Sequence, residues 1–152
     1  RIKTKPLTIK LEARYGENIS DLLAVSGYAV KDIADPTTGE FTYTPLKSMT
    51  YWGEVHTNGK TQFGVFGGYL INQGSREAMH PAYAAVFGLA PNIRSLMRVS
   101  PRVIFTSGKT RLAFELEYTE ASYGRDYDEY YVPEATTKVA NLRALAALYY
   151  HF

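Results

Sequence analysis

The side chains of this chain that could do chemistry are charged ones, spaced two residues apart between apolar residues. Because side chains alternate across a β-strand, this spacing puts the charges on one face and the apolar residues on the other. Six bases and four acids are predicted on the charged face: Lys10, Glu12, Arg14, Glu54, Arg98, Arg102, Arg111, Glu115, Glu117 and Arg143. Charges lining a water-filled path select solutes by sign, and the excess of bases predicts a weak preference for anions. The sequence leaves open the alternative that these side chains only pair with each other across strands.

Other reactive residues lack the spacing of a catalytic or metal site. The three histidines are far apart and match no metal-binding pattern, and no serine stands in a nucleophile motif. Asp126, Asp128 and Glu129 could bind calcium through oxygen ligands, although a solvated acidic loop accounts for them as well. We therefore expect no enzymatic activity, no metal and no cofactor.

The composition restricts the partners. The 152 residues carry 17 Lys and Arg against 15 Asp and Glu, a net charge of +2, and no cysteine. No basic stripe with interleaved aromatic residues is present, so nucleic acid is not an expected partner. No stretch approaches the ~20 apolar residues of a membrane helix. The absence of such a stretch does not exclude a transmembrane barrel, because only every second residue of its strands faces lipid.

Alternating apolar residues predict seven strands in one unit, residues 1–152, arranged as an antiparallel up-and-down meander. The predicted strands span residues 7–15, 19–30, 48–56, 61–70, 93–106, 111–123 and the last segment after 137. Short connections are predicted at 16–18, 57–60 and 107–110, and long ones at 31–47, 72–92 and 124–137. All tight turns then lie at one end and all long loops at the other, which is the layout of outer-membrane barrels.

Details of the hairpins follow from their turn residues. A three-residue first turn would place Trp52 opposite Gly64, and a two-residue second turn would place Arg102 opposite Glu115. Pro101 lies inside a predicted strand and lacks the donor that a ladder needs, so we expect a bulge or a break there.

Strand length discriminates between two environments for this pattern. A soluble sandwich or lipocalin-like barrel would also alternate, with its apolar face in a protein core. Strands of ~13 residues exceed the five or six usual in soluble folds, whereas a tilted barrel strand needs ~9–11 residues to cross hydrocarbon. The sequence thus predicts an all-β protein whose meander forms part of a transmembrane β-barrel.

The last ten residues, RALAALYYHF, alternate with Leu148, Tyr150 and Phe152 in the apolar register. This segment resembles the terminal strand of Gram-negative outer-membrane β-barrels, which ends in Phe after alternating apolar residues. The resemblance implies that these three residues form the signal read by the barrel-insertion machinery, and that the protein is located in the bacterial outer membrane.

The phrases YWGEV, FGVFGGYLINQG, RVSPRVIFTSG and FELEYTEASYG resemble the closing strands of porin-type proteins, those of Bacteroidota or of the DcaP-like group. The DcaP-like resemblance implies homotrimers that pass small, often anionic, solutes. Seven strands are an odd number, and single-chain bacterial barrels have even numbers from eight. We therefore expect this segment to be the carboxyl-terminal part of a barrel whose remaining strands lie elsewhere in the polypeptide or in a second chain.

Three functions agree with these patterns. The first is a porin segment that lines a water-filled channel for passive diffusion of small polar solutes across outer-membrane lipid. The second is a structural or partner-binding outer-membrane barrel with a plugged interior. The third is a soluble ligand-binding β-barrel, which would not require detergent.

Overall fold

The protein folds into one antiparallel sheet. The computed structural model describes residues 1–22, 24–82 and 84–152. Its nine strands are β1 (Ile2–Lys3), β2 (Leu7–Glu17), β3 (Ser26–Asp35), β4 (Glu40–Thr57), β5 (Thr61–Ser75), β6 (Val86–Leu89), β7 (Ile93–Ser107), β8 (Thr110–Tyr127) and β9 (Pro133–Tyr150). A single 3₁₀ turn, Ser20–Leu22, is the only helical element of the described residues. Nothing helical in this part of the chain has the length and apolarity needed to cross a membrane.

The predicted all-β antiparallel meander is confirmed. The strand order is β1-β2-β4-β5-β7-β8-β9. In addition, β3 pairs with the first part of β4, residues 40–45, and β6 pairs with β3. The sheet is open: within the described residues, no strand pairs with the outer edge of β9, and β1 covers only two residues of the outer edge of β2. Nine strands are present where about seven were predicted, because the short β1 and β6 have too few residues to show alternation.

The meander has two different ends. The turn end holds the tight β4–β5 and β7–β8 connections, together with the start of β2 and the end of β9. The loop end holds the longer connections and the β3–β6 pair. Arg102 lies opposite Glu115 as predicted, and the connections at 58–60 and 108–109 are tight while that between β5 and β7 is long, as predicted.

The predicted turn at 16–18 and strand at 19–30 are wrong. β2 continues to Glu17 at the loop end, and Asn18, with a φ of 47°, leads into the 3₁₀ turn. The next strand begins only at Ser26 and pairs with β4 and β6 rather than with β2. Alternation was poor in this segment because residues 20–22 form the 3₁₀ turn and only residues from Ser26 onward are strand. Leu23 and Tyr83, which fall in the predicted strand 19–30 and the predicted loop 72–92, lie outside the described residues.

Two of the predicted long loops are largely strand. The segment 31–47 contains the end of β3 and the start of β4, joined by a turn in which the Gly39 amide donates to the Asp35 carbonyl, 2.9 Å away. Gly39 has a φ of 73°, so it permits this reversal within four residues. The segment 124–137 likewise shortens to a turn at 128–132. β-branched and aromatic residues at both places favour strand over the loop that their polar neighbours suggested.

Of two further hairpin details, one differs from the prediction and the other agrees with it in part. Trp52 lies opposite Gly68 and not Gly64, because the last residues paired across this hairpin are His56 and Gly64, while the Asn58 side chain donates to the Thr4 and Lys5 carbonyls. Pro101 causes no bulge, and β7 continues through it. Pairing with β8 is interrupted between Val99 and Arg102, as the missing donor predicts, and resumes in the same register.

The packed core lies at the loop end. Leu46, Ser26 and Ser75 are fully buried there, where β3 folds against β4 and the end of β5. The turn at 128–132 joins this core, since the Ser75 amide donates to the Tyr130 carbonyl at 2.7 Å. Over the rest of the sheet, one face carries large apolar residues that remain exposed, such as Leu11.

Gly74 tests this loop-end core. It has a φ of 81°, and a β-carbon there would collide with the carbonyl oxygen of Tyr130. We expect Gly74→Ala to lower the free energy of unfolding by about 2 kcal/mol, from backbone strain and steric overlap. Urea unfolding followed by the fluorescence of Trp52, the single tryptophan, measures the loss. Gly67→Ala is the matched control, because a β-carbon at Gly67 meets nothing within 4 Å. Equal stability of the two variants would contradict the prediction.

Candidate functional site

The ten charged residues predicted to share a face do so. Residues paired across antiparallel strands project to the same side of a sheet, so the registers identify each face. Starting from Lys10 opposite Glu54, the polar face continues through each paired strand to Arg143 opposite Glu117. The opposite, apolar face carries the alternate residues, such as Leu11, Val99 and Leu142.

The first charged group on the polar face surrounds Glu54 and is called the Glu54 cluster: Glu54, Lys10, Arg102 and His56. One carboxylate oxygen, Oε1, lies 2.9 Å from Lys10 Nζ, 2.7 Å from an Arg102 terminal nitrogen and 2.9 Å from His56 Nδ1. This single acid therefore holds two cations from two other strands and a histidine of its own strand.

Gly64 allows Arg102 to reach Glu54. β5 lies between β4 and β7, so the Arg102 side chain must cross it at Gly64, which pairs with both His56 and Arg102. A β-carbon at Gly64 would lie 3.0 Å from His56 Cβ and 3.3 Å from Arg102 Nε. Any larger side chain would displace the guanidinium, and the ion pair across β5 depends on this glycine.

The second charged group surrounds Glu117 and is called the Glu117 cluster: Glu117, Arg98 and Arg143. Oε2 of Glu117 lies 3.0 Å from an Arg143 terminal nitrogen on β9 and 3.4 Å from one of Arg98 on β7. Arg98 Nε also donates to Thr119 Oγ1 at 3.3 Å. One acid on β8 is therefore held between two arginines from its neighbouring strands.

The remaining predicted residues are less tightly connected. Glu12 and Arg14 form a 2.7 Å ion pair with each other on β2, and both are exposed. Glu115 and Arg111 form no ion pair within the described residues, and the buried Nε of Arg111 has no hydrogen-bond partner. Although Arg102 is the cross-strand neighbour of Glu115, its guanidinium turns toward Glu54 instead.

Exposure differs systematically between the acids and bases of the two clusters. The side chains of Glu54 and Glu117 are only 11% and 9% exposed. Arg98 and Arg143, which cover Glu117, are 43% and 55% exposed. The carboxylates therefore lie against the sheet, and the cationic groups are presented to the water above it.

Trp52 and Phe66 were not identified as site residues from the sequence. Their rings lie on the polar face with centroids 5.8 Å apart. Gly68, opposite Trp52, provides the space, since a β-carbon there would lie 3.1 Å from the Phe66 ring. The sequence did carry a signal for this pair, namely an aromatic residue in the polar-face register of a strand, opposite a glycine.

The described residues contain no group of three or more His, Asp or Glu side chains that could hold a metal ion. Within the acidic segment 126–129, Asp128 has a structural role. Its Oδ1 accepts hydrogen bonds from the amides of Tyr130 and Val132, at 3.0 and 2.7 Å, and this shapes the turn. Next to it, Tyr127 and Tyr131 stack at 4.1 Å, and burial together with Tyr127 raises the pKa of the Tyr131 hydroxyl.

The three residues predicted as an insertion signal lie at the turn end. Leu148 and Tyr150 project from the apolar face of β9, opposite Leu112 and Thr110. The ring of Phe152 contacts that of Tyr150 edge to face, with centroids 5.4 Å apart. All three are exposed.

No protein-family model matches the chain, and neither the curated proteins nor the solved structures contain a match. Its function must be inferred from the geometry and charge of the sheet itself.

The Glu54 cluster can be tested by removing its carboxylate. Glu54→Gln leaves the partly buried Arg102 and its neighbour Lys10 without a counter-charge, so we expect a loss of about 2 kcal/mol in the free energy of unfolding. Glu12→Gln, which breaks an exposed pair on one strand, should cost less than about 0.5 kcal/mol. Urea titration at neutral pH compares them, and an equal effect at both sites would show that Glu54 does not hold the strands together.

Proposed function

We propose that this chain forms part of the wall of a bacterial outer-membrane β-barrel, and that its polar face lines a water-filled path for small polar solutes. The proposal includes a preference for anions and requires no cofactor. Its partners are outer-membrane lipid, further strands that close the sheet and the barrel-insertion machinery.

The observation that carries the proposal is the distribution of burial between the two faces. Several small and mid-sized residues of the polar face are buried, although only neighbouring side chains of the same sheet cover them. They are Thr8, Ser48, Leu70, Ser100 and Ile104. Large residues of the apolar face are exposed, with Leu11 at 72% and Leu148 at 70%. Side chains crowd on the concave side of a curved sheet and spread on the convex side. The sheet therefore curves toward its polar face, the opposite of a soluble barrel with an apolar interior.

The apolar face has the composition of a surface in contact with lipid. Among the described residues, its charged side chains are confined to the loop end and include Glu17, Lys47, Glu120, Glu134 and Lys138. From Met49 on β4 down to the turn end, this face carries no charge. Soluble monomers rarely expose continuous apolar patches of more than a few hundred Å², so this face needs an apolar environment.

Strand length supports the same environment. β5 and β7 have 15 residues each, and β4, β8 and β9 have 18. A tilted strand crosses hydrocarbon with ~9–11 residues, so these strands can span a bilayer and continue beyond it at the loop end. Unpaired backbone groups are costly in hydrocarbon. The open edge of β9 therefore requires further strands, from the same polypeptide or a second chain, to close a barrel.

The preference for anions follows from the exposure of the arginines. Because Glu54 and Glu117 lie beneath them, the outermost charges of the two clusters are those of Arg98, Arg143 and Lys10, and the exposed Glu12 is balanced by its ion pair with Arg14. A water-filled path bordered by such a wall has a positive potential, which raises the local concentration of anions.

Leu142 and Asn141 are adjacent on β9, both exposed, and belong to opposite faces. If the apolar face contacts lipid, Leu142→Arg should lose about 2–4 kcal/mol of insertion free energy near the bilayer midplane. Asn141→Arg adds the same side chain to the water-facing side and should insert like the parent chain. Folding into phosphatidylcholine vesicles, followed by protection from protease, measures both. A greater loss for Asn141→Arg would indicate a protein core on the polar side and a soluble barrel.

Anion preference can be measured from reversal potentials of the full polypeptide in planar bilayers under a KCl gradient. Replacing Arg98 and Arg143 with Gln should lower the chloride-to-potassium permeability ratio at least about twofold, because the outermost charges of the wall are lost. Arg125→Gln, at the loop end, removes an exposed cation outside the two clusters and serves as a control. Absence of conductance in the parent protein would favour the plugged barrel, and cation selectivity unchanged by the substitutions would refute the anion preference.

A further inference from the structure

The turn end carries a row of lysines that neither charged cluster includes. We propose that these residues, called the lysine rim and consisting of Lys3, Lys5, Lys60 and Lys109, bind the phosphate groups of anionic phospholipids. The inference rests on the proposed function, because it requires the apolar face to be in a bilayer. It adds a recognition surface for the membrane leaflet at the turn end.

Charge is one-sided at this end of every strand. The segments 1–11, 55–65, 103–114 and 144–152 contain lysine, arginine and histidine but no Asp or Glu. The four rim lysines are all exposed. Within the described part of the chain, none of them forms an ion pair, in contrast to the loop end, where Lys31 lies 2.7 Å from Glu77 and Lys138 lies 2.9 Å from Glu120. The hydrogen bond from Lys31 lowers the pKa of Glu77, so these two loop-end cations are compensated, whereas the rim cations are not.

The rim is a continuous structure. Backbone hydrogen bonds join its segments in series, from Asn58 N to the Pro6 carbonyl at 2.9 Å and from Thr106 N to the Lys60 carbonyl at 2.7 Å. A third, 2.9 Å long, joins His151 N to the Lys109 carbonyl. The lysines are therefore held on one border of the sheet rather than on independent flexible tails.

A cleft lies within the rim. Its volume is about 610 Å³, and it is lined by Lys3, Thr4, Lys5, Asn58, Gly59 and Gln62, the last two of which flank Lys60 in the chain. The cleft is open, and it offers the ammonium groups of Lys3 and Lys5 without a carboxylate, which are charged donors that a phosphate oxygen accepts from.

The apolar face identifies the phosphate as that of a lipid. Phe63 and Phe105 project from it, three and four residues from Lys60 and Lys109, and both are exposed. A band of aromatic rings next to a row of lysines is characteristic of the interface between hydrocarbon and headgroups. Lysine extends its apolar stem along such a surface and places its charge among the headgroups. If acyl chains cover the apolar face, the nearest anions to the rim are headgroup phosphates. An acidic protein or a nucleic acid would not account for the adjoining aromatic band.

The test compares spin-labelled phosphatidylglycerol with spin-labelled phosphatidylcholine at the surface of the full chain, inserted in phosphatidylcholine vesicles at low salt. The parent protein should prefer phosphatidylglycerol, and high salt should remove the preference. In the variant with Lys3, Lys5, Lys60 and Lys109 all replaced by Gln, the preference for phosphatidylglycerol should fall at least about fivefold. That factor is the contribution of a single lysine near an anionic surface. The control variant removes four cations at the loop end, through Lys31→Gln, Lys47→Gln, Arg125→Gln and Lys138→Gln, and should keep the preference.

Insertion into pure phosphatidylcholine separates the two proposals. If the full polypeptide, with the strands that close the barrel, does not insert there, the proposed membrane wall fails. If it inserts without preferring phosphatidylglycerol, or if both variants lose the preference equally, only the lysine rim is overturned. Displacement of the labelled lipid by free inorganic phosphate would also overturn it, by showing a site for small anions. Retention of the preference by the rim variant, with loss of binding to an oligonucleotide, would overturn it in favour of nucleic acid.

Discussion

The structure depends on one constraint, the registration of six long strands so that every charged residue between the turn end and the level of Met49 falls on the same face. Because the side-chain period is two, a slip of one residue in any pairing would move charges onto the apolar face and leucines among the arginines. Cross-strand ion pairs at Glu54 and Glu117 and the apolar rows opposite them both require this register. The separation of charge from apolar surface, and the proposed contact with lipid on one side and water on the other, follow from it.

The two charged clusters share a design in which one poorly exposed acid lies beneath cations from neighbouring strands. Glycine makes the longer of these contacts possible, since Arg102 crosses β5 only where Gly64 leaves room. The result is electrostatic asymmetry across the wall. Acids hold the strands together near the backbone, whereas the arginine ends lie outermost. A nearly equal number of acids and bases on this face is therefore compatible with a positive surface.

Prediction from sequence succeeded where alternation was unbroken and failed where tertiary contacts competed with it. The strands around Arg102 and Glu115, and their exact opposition, could be predicted because a short hairpin determines its own register. The segment 19–30 could not, because β3 takes its partners from β4 and from β6, which is distant in the sequence. The polar segments 31–47 and 124–137 resembled loops, yet they are strands that extend beyond the apolar band. At the first hairpin, pairing ends at His56 and Gly64, so the register differs from the one that the turn residues predicted.

The amino-acid sequence by itself determined the all-β class, the long strands and the assignment of all ten charged residues to one face, because alternation is a local property of each strand. Which cations meet which acid and how deeply each carboxylate is covered were decided only by the tertiary structure. These features depend on contacts across two or three strands, to which many residues contribute at once. The lysine rim has the same origin: its members are scattered along the chain, and hydrogen bonds between remote turns bring them together on one border.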